Sequence, residues 1–225
     1  MFSYKQLPIE SMQCSFIQGS YLFIGAGNKL YLSNMADDFS IVSQVSFKRH
    51  VFSICAMNPN QFVIGEQGGY LGMVSVRDDG SMTKETETKV TSAIFKVIKT
   101  STDEFALACS GGLYFAQYDT QGKKFTVSPD FLLVDHLVTQ VVEVEANRFA
   151  VGCWGVPWVG LVDKKLRTLV KIDCPMQDET QCTDLVALPG FDTQDFPFLV
   201  QRNSKTINLI NLTNLTMHQL VKSEN

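Results

Sequence analysis

Val51-Phe-Ser-Ile-Cys-Ala-Met57, then Asn58-Pro-Asn-Gln61, then Phe62-Val-Ile-Gly65 is the stretch from which the fold can be read. Two apolar runs of strand formers flank Asn-Pro, a strong turn signal, so the segment reads as two antiparallel strands joined by a tight turn. The second run ends in a small residue, and that ending recurs along the chain. Leu22-Phe-Ile-Gly25, Phe105-Ala-Leu-Ala108, Phe149-Ala-Val-Gly152 and, more loosely, Phe198-Leu-Val-Gln201 fit the same quartet. With Gly65 included, the fourth positions lie 40, 43, 44 and 49 residues apart. Self-similarity at such a period marks a repeat architecture.

Around each quartet the same order of runs returns. A glycine-rich turn follows, with Gly25 and Gly27, Gly68 and Gly69, Gly111 and Gly112, or Gly152 and Gly155. Then comes a third run alternating with period 2: Leu30 to Leu32, Tyr70 to Val76, Leu113 to Tyr118, Trp158 to Val162, Thr206 to Ile210. A more polar fourth run closes each unit, as in Met82 to Lys89, where Lys84-Glu-Thr-Glu-Thr-Lys89 suits a solvated outer strand. Four strands per repeat, apolar inside and polar at the outer edge, predict an all-β chain. The expected fold is a β-propeller of about five four-stranded antiparallel blades. The blades fall at approximately 12–47, 50–89, 93–128, 137–172 and 183–221 of a single propeller domain over residues 1–225. Five blades can close a ring; a larger propeller, or self-association that completes an unfinished ring, would fit the same pattern.

Composition narrows the function classes. Of the 225 residues 45% are hydrophobic and 19% charged, with 16 Phe, which is enough for a packed core and unlike a disordered chain. Net charge is −4 with Lys and Arg scattered singly, so no basic stripe follows a phosphate backbone and no nucleic acid is expected. No apolar run approaches the roughly 20 residues that span a bilayer. No membrane is expected, and a cytoplasmic location is. The six cysteines form no C-x-x-C pair, and four lie in or at the ends of apolar runs, as buried thiols do in a reducing compartment. Cys174 and Cys182 are the one pair close in sequence, and an unpaired thiol is expected there as well.

The order within a repeat resembles the WD-repeat family. A His stands near the start (His50, His136), and an aromatic or aliphatic residue followed by Asp stands at the end of the third strand. Tyr118-Asp119 and Val162-Asp163 are such endings, and Ile210-Asn211 is a weaker one. Neither Gly-His nor Trp-Asp occurs, so the likeness is to the architecture. The resemblance implies a hydrogen-bonded network of His, Ser or Thr, and Asp in each blade, with His136 and Asp163 matching it, and both histidines structural. It also implies docking on the face made by the second-to-third-strand turns: Gly25 to Lys29, Glu66 to Gly69, Ser110 to Gly112, Trp154 to Trp158 and Arg202 to Lys205.

On that face the partner-binding candidates are Trp154, Trp158, Glu66 and Arg202. The chain's two tryptophans share one turn, where sibling turns carry Gly, Ser and Asn, and aromatic anchors are enriched at binding hot spots. Trp158, opening the third strand, reads equally as core. Glu66 and the acidic balance favour a protein or peptide partner with a basic segment. The function expected is a non-catalytic protein–protein interaction scaffold with no cofactor and no metal. The alternative is a glycoside-processing or small-ligand-binding propeller, for which Glu143, Glu145 and Asp184 would have to gather at carboxylate-pair spacing. No Gly-x-Ser-x-Gly elbow, P-loop or dinucleotide glycine fingerprint is present.

Overall fold

The computed structural model describes residues 9–128, 136–173, 182, 184–188, 198–202 and 206–222. Among these residues twenty strands form five four-stranded sheets, each an up-and-down meander in chain order. The first holds β1 (Met12–Gln18), β2 (Tyr21–Ala26), β3 (Lys29–Asn34) and β4 (Ser40–Ser46), and the second β5 (Val51–Asn58), β6 (Gln61–Glu66), β7 (Tyr70–Val76) and β8 (Met82–Lys89). The third holds β9 (Ile94–Lys99), β10 (Glu104–Cys109), β11 (Gly112–Asp119) and β12 (Lys124–Val127). The fourth holds β13 (Val138–Glu145), β14 (Arg148–Cys153), β15 (Trp158–Asp163) and β16 (Thr168–Asp173). The fifth holds β17 (Asp184–Leu188), β18 (Phe198–Arg202), β19 (Thr206–Asn211) and β20 (Thr216–Lys222). The only helical element among the described residues is a 3-10 turn over Met35–Asp37, and no described helix is long and apolar enough to cross a membrane.

Contacts gather the chain into two compact units, residues 1–97 with 119–125, and residues 98–118 with 126–225. In the first unit, Phe23, Leu30 and Leu32 of the first sheet meet Phe62, Ile64 and Val74 of the second, with Phe47 of the connecting link and Val51 of β5 among them. The Phe23 and Phe62 rings lie 4.2 Å apart, and Phe16 sits on Phe62 at 6.1 Å. In the second unit, Ala106, Ala108 and Phe115 pack on Val141, Phe149 and Val151, and the far side of the fourth sheet packs Ala150, Val159 and Leu161 on Leu185 and Leu199. Alternation produces these layers, because successive residues of a strand point to opposite faces.

The small fourth residue of the quartet is where one sheet meets the inner strand of the next. A Cβ at Gly65 would stand 2.9 Å from both Ile94 Cγ2 and Val97 Cγ2. At Gly25 it would stand 2.7 Å from Val51 Cγ1, and at Gly152 it would collide with Cys182 Sγ. Buried hydroxyls tie the same places. Val97 N donates to Ser53 Oγ at 2.9 Å, and Thr139 Oγ1 donates to Cys182 O at 2.8 Å.

The fifth repeat departs from the sequence reading. Leu185, which touches the Gly152 position, lies opposite Gln201, so Gln201 and Leu199 face the fourth sheet. By face, the quartet of this repeat is Leu199 to Arg202, one residue later than Phe198 to Gln201, because a one-residue slip exchanges the two faces of a strand. Gln201 is fully buried and accepts from Asn208 Nδ2 at 2.5 Å.

In four of the five sheets the residue that ends the third strand caps the following hairpin. Asn34 Oδ1 accepts from Ala36 N, Asp119 Oδ1 from Gln121 N, Asp163 Oδ1 from Leu166 N, and Asn211 Oδ1 from Thr213 N, at 2.8–3.0 Å. These are local Asx turns. They do not build the expected network: His136 stacks edge-on against Trp158 at 5.4 Å, at the opposite end of β15 from Asp163.

None of the described cysteines is in a disulfide. Cys109 and Cys153 are buried, which pushes the Cys153 thiol up to about 12 and the Cys109 thiol higher still, while Cys55 is half-buried rather than enclosed. Cys174, the segment Phe2 to Leu7 and the turn residues 203–205 lie outside the described residues.

Gly65→Ala and Gly152→Ala are each expected to lower stability by about 1–3 kcal/mol, the usual cost of overpacking a filled interior. Equilibrium denaturation of the intact chain measures it, and wild-type midpoints in both variants would contradict the close approach just described.

Candidate functional site

The four residues expected on one docking face lie in different surroundings. Trp154 follows β14 with 53% of its surface exposed, its backbone N–H donating to Leu137 O at 2.8 Å. Gly155, next to it, has φ +78°, a conformation that suits glycine. Trp158, four residues on, is 8% exposed and belongs to the core of the second unit, with Lys171 Nζ 4.7 Å over its ring. It is no surface group: alternation along β15 turns it inward with Val162. Arg202 ends β18, exposed, at the corresponding place in the fifth sheet.

Glu66 requires a larger correction, because it ends β6 fully buried. Its Oε2 accepts from Arg49 N at 2.9 Å, while no N–H or O–H of the described residues reaches Oε1. Its carboxyl neighbour is Glu87 of β8, whose Oε1 accepts from Lys48 N at 2.9 Å and whose Oε2 lies 3.3 Å from Lys84 Nζ and 3.7 Å from Lys48 Nζ. The two carboxyl groups thus hold successive amides, Lys48 and Arg49, of the link between β4 and β5. Burial pushes Glu66 up to about 7, aided by the hydrogen bond and the negative charge of Glu87. Burial would raise Glu87 too, but the Lys48 N–H, the hydrogen bond from Glu66 and Lys84 together hold it below the usual carboxylate range. Below about pH 7 Glu66 therefore holds the proton that the two carboxyl groups share. No basic partner segment can reach it, and the charge preference drawn from it falls away. Glu87 was missed because Lys84 to Lys89 reads as a solvated strand, whereas its side chain is only 8% exposed.

The carboxylates of the enzymatic alternative each have partners of their own. Glu145 pairs with Arg148 at 2.5 Å, at the far end of β13. Glu143 accepts from Asn147 N at 3.3 Å, and burial, with Glu104 nearby, raises it despite Lys164. Asp184 begins β17 beside Cys182, at the end of the fourth and fifth sheets that carries Gly152, and accepts from Leu185 N.

Five successive four-stranded meanders with small residues at the sheet-to-sheet contacts define a β-propeller. Solved structures agree. The chain resembles the β-propeller domain of Myceliophteria thermophila Cps50 (Swd1), with TM-score 0.72 and 11% identity over 97% of this chain and 73% of that one. It also resembles hydrazine synthase of Kuenenia stuttgartiensis, with TM-score 0.69 and 12% identity over 97% of this chain and 68% of that one. At these identities the likeness establishes the fold. No protein-family model and no curated sequence matches the chain.

The carboxyl pair makes stability depend on pH. Glu66 binds its proton more tightly folded than unfolded, so its contribution is complete below the ordinary value of 4.5 and is lost as pH rises through about 7. Glu87, held low, contributes in the opposite sense and loses its share as pH falls through its folded value. Stability is greatest with one proton on the pair. Scanning calorimetry between about pH 6 and about pH 8.5 should show the melting temperature falling for wild type and falling much less for Glu66→Gln, whose amide donates to Glu87 at either pH. Equal slopes for the two proteins would contradict the shared proton.

Proposed function

We propose that this chain is a non-catalytic propeller of the WD-repeat kind that binds a protein partner through the turn carrying Trp154. The observation that supports this reading is the exposed indole itself: 53% of Trp154 faces solvent on a turn whose backbone is held by the Leu137 carbonyl and by Gly155. Leaving a large apolar side chain in water forgoes about 1.5–3 kcal/mol of burial, and exposed aromatic anchors gain that back when a partner covers them. Arg202, at the equivalent end of β18, adds a cation to the same set of turns. The separate engagements of Glu143, Glu145 and Asp184 favour binding over carboxylate catalysis. Cysteines outside any disulfide among the described residues suit a reducing compartment such as the cytosol.

The test places a photo-crosslinking amino acid at position 154 in the source cells, with a second at Leu166 as control. Leu166 is the more exposed, at 73%, but sits on the β15–β16 hairpin at the other end of the sheet. A discrete adduct from position 154, absent from position 166 and competed by wild-type protein but not by Trp154→Ala, is the expected result. Adducts that are equal from both positions, or absent from both, would remove Trp154 as the contact. Trp154→Ala itself should leave folding stability within about 0.5 kcal/mol of wild type, as exposed substitutions do.

A further inference from the structure

At the other end of the first unit's sheets from Glu66, the first and second sheets part around an open cleft of about 230 Å³. Its floor is the Phe23–Phe62 ring pair, each ring 1% exposed and fixed by packing in the core. Tyr21 and Val76 form half-buried walls, and the Gln18 side chain closes one side by donating to Pro59 O at 3.2 Å. Three exposed polar side chains stand at the mouth: Asn60, Arg77 and Asp78. Their backbones are tied, Asn60 N to Asn58 Oδ1, Val76 N to Asn60 O and Arg77 N to Ser81 O. Their side chains take part in no hydrogen bond or ion pair among the described residues.

In the other four repeats an Asn or Asp ends the third strand and is consumed as the hairpin cap, but β7 ends on Val76 and the cap is Asp79 inside the turn, whose Oδ1 accepts from Ser81 N at 2.8 Å. Asp78, beside it in the same turn, is left out of the capping. Asp78 makes no ion pair among the described residues, and Arg77 stands beside it at the same mouth. The mouth therefore combines an apolar pit, amide and guanidinium donors for a peptide backbone, and one carboxylate outside any ion pair. The pit is smaller than the roughly 300 Å³ at which small-molecule sites begin, and suits one large side chain.

We propose that this cleft binds a peptide segment of a partner protein, which inserts one large apolar side chain between Tyr21, Phe62 and Val76 and sets an adjacent Lys or Arg against Asp78. It shares with the reading above the premise of a protein partner, but not the site.

Two-dimensional NMR of the intact ¹⁵N-labelled chain tests it with three probes: acetyl-Ser-Phe-Arg-Ser-amide, the same peptide with Glu in place of Arg, and N-acetylphenylalaninamide. The Arg peptide should shift the amides of Asn60, Arg77 and Asp78 saturably, and bind about fivefold more tightly than the Glu peptide, the scale of one exposed charge pair. Asp78→Lys should reverse that order, and Trp154→Ala should leave it unchanged. Absence of saturable shifts, equal binding of the two peptides, or equal binding of N-acetylphenylalaninamide would each overturn the proposal, the last by making the cleft a small-molecule site. Peptide binding retained where the crosslink from position 154 fails would remove Trp154 alone; the converse would remove the cleft alone.

Discussion

The close approach of one sheet's middle strand to the next sheet's inner strand is the constraint on which the rest depends. At Gly65 and Gly152 the neighbouring strand stands where a Cβ would be, and buried hydroxyls of Ser53 and Thr139 bridge at the same level. Sheet-on-sheet packing normally keeps faces about 10 Å apart with side chains interdigitated. Removing the side chain at one point lets the inner strands crowd together while Phe62, Phe105 and Phe149 fill the wider space further along their strands. A large residue at the first quartet position and a small one at the fourth taper the filling of a blade.

That taper is why the fold could be read from the sequence. A steric exclusion at a fixed position leaves a mark at a fixed position, and four of the five quartets carry it as Gly or Ala. The fifth was placed one residue early because Phe198 offered the expected letter, whereas the face is decided by pairing with β17, and Leu185 opposite Gln201 decides it for the later register. Arg202 then stands where the siblings have Gly or Ala. The hairpin caps were legible in part: an Asp or Asn after the third strand was seen, but its partner proved to be the next turn's own backbone, a contact of two or three residues' reach that needs no His.

The functional surface was less legible, for a physical reason. Whether Glu66 is a surface anion or a buried acid depends on Arg49 and Glu87, 17 residues before and 21 residues after it, and nothing local announces either contact. The alternating charges of β8 describe an average strand, yet Glu87 is enclosed because the β4–β5 link passes over it and offers an N–H. The two tryptophans make the same point within one turn. Composition could not separate them, while the pairing of Trp158 with Asp173 and the positive φ of Gly155 send one indole inward and leave the other outside.

Strands and turn ends of this propeller therefore answer to different constraints. The strands are over-determined: alternation, the quartet and the hydroxyl bridges all require the same arrangement, and a substitution that violates one violates the others. At the hairpin ends the backbone is satisfied locally by Asx turns, so the neighbouring side chains owe nothing to folding. Where β7 ends on Val76 the cap is taken by Asp79 inside the turn, which leaves Asp78 a charged group outside the capping, beside an aromatic floor that packing has already fixed. A rigid floor with an unengaged rim arises where a local cap is taken by a turn residue, and the sheets beneath it are unchanged. Recognition can then change at the rim without any cost to the core.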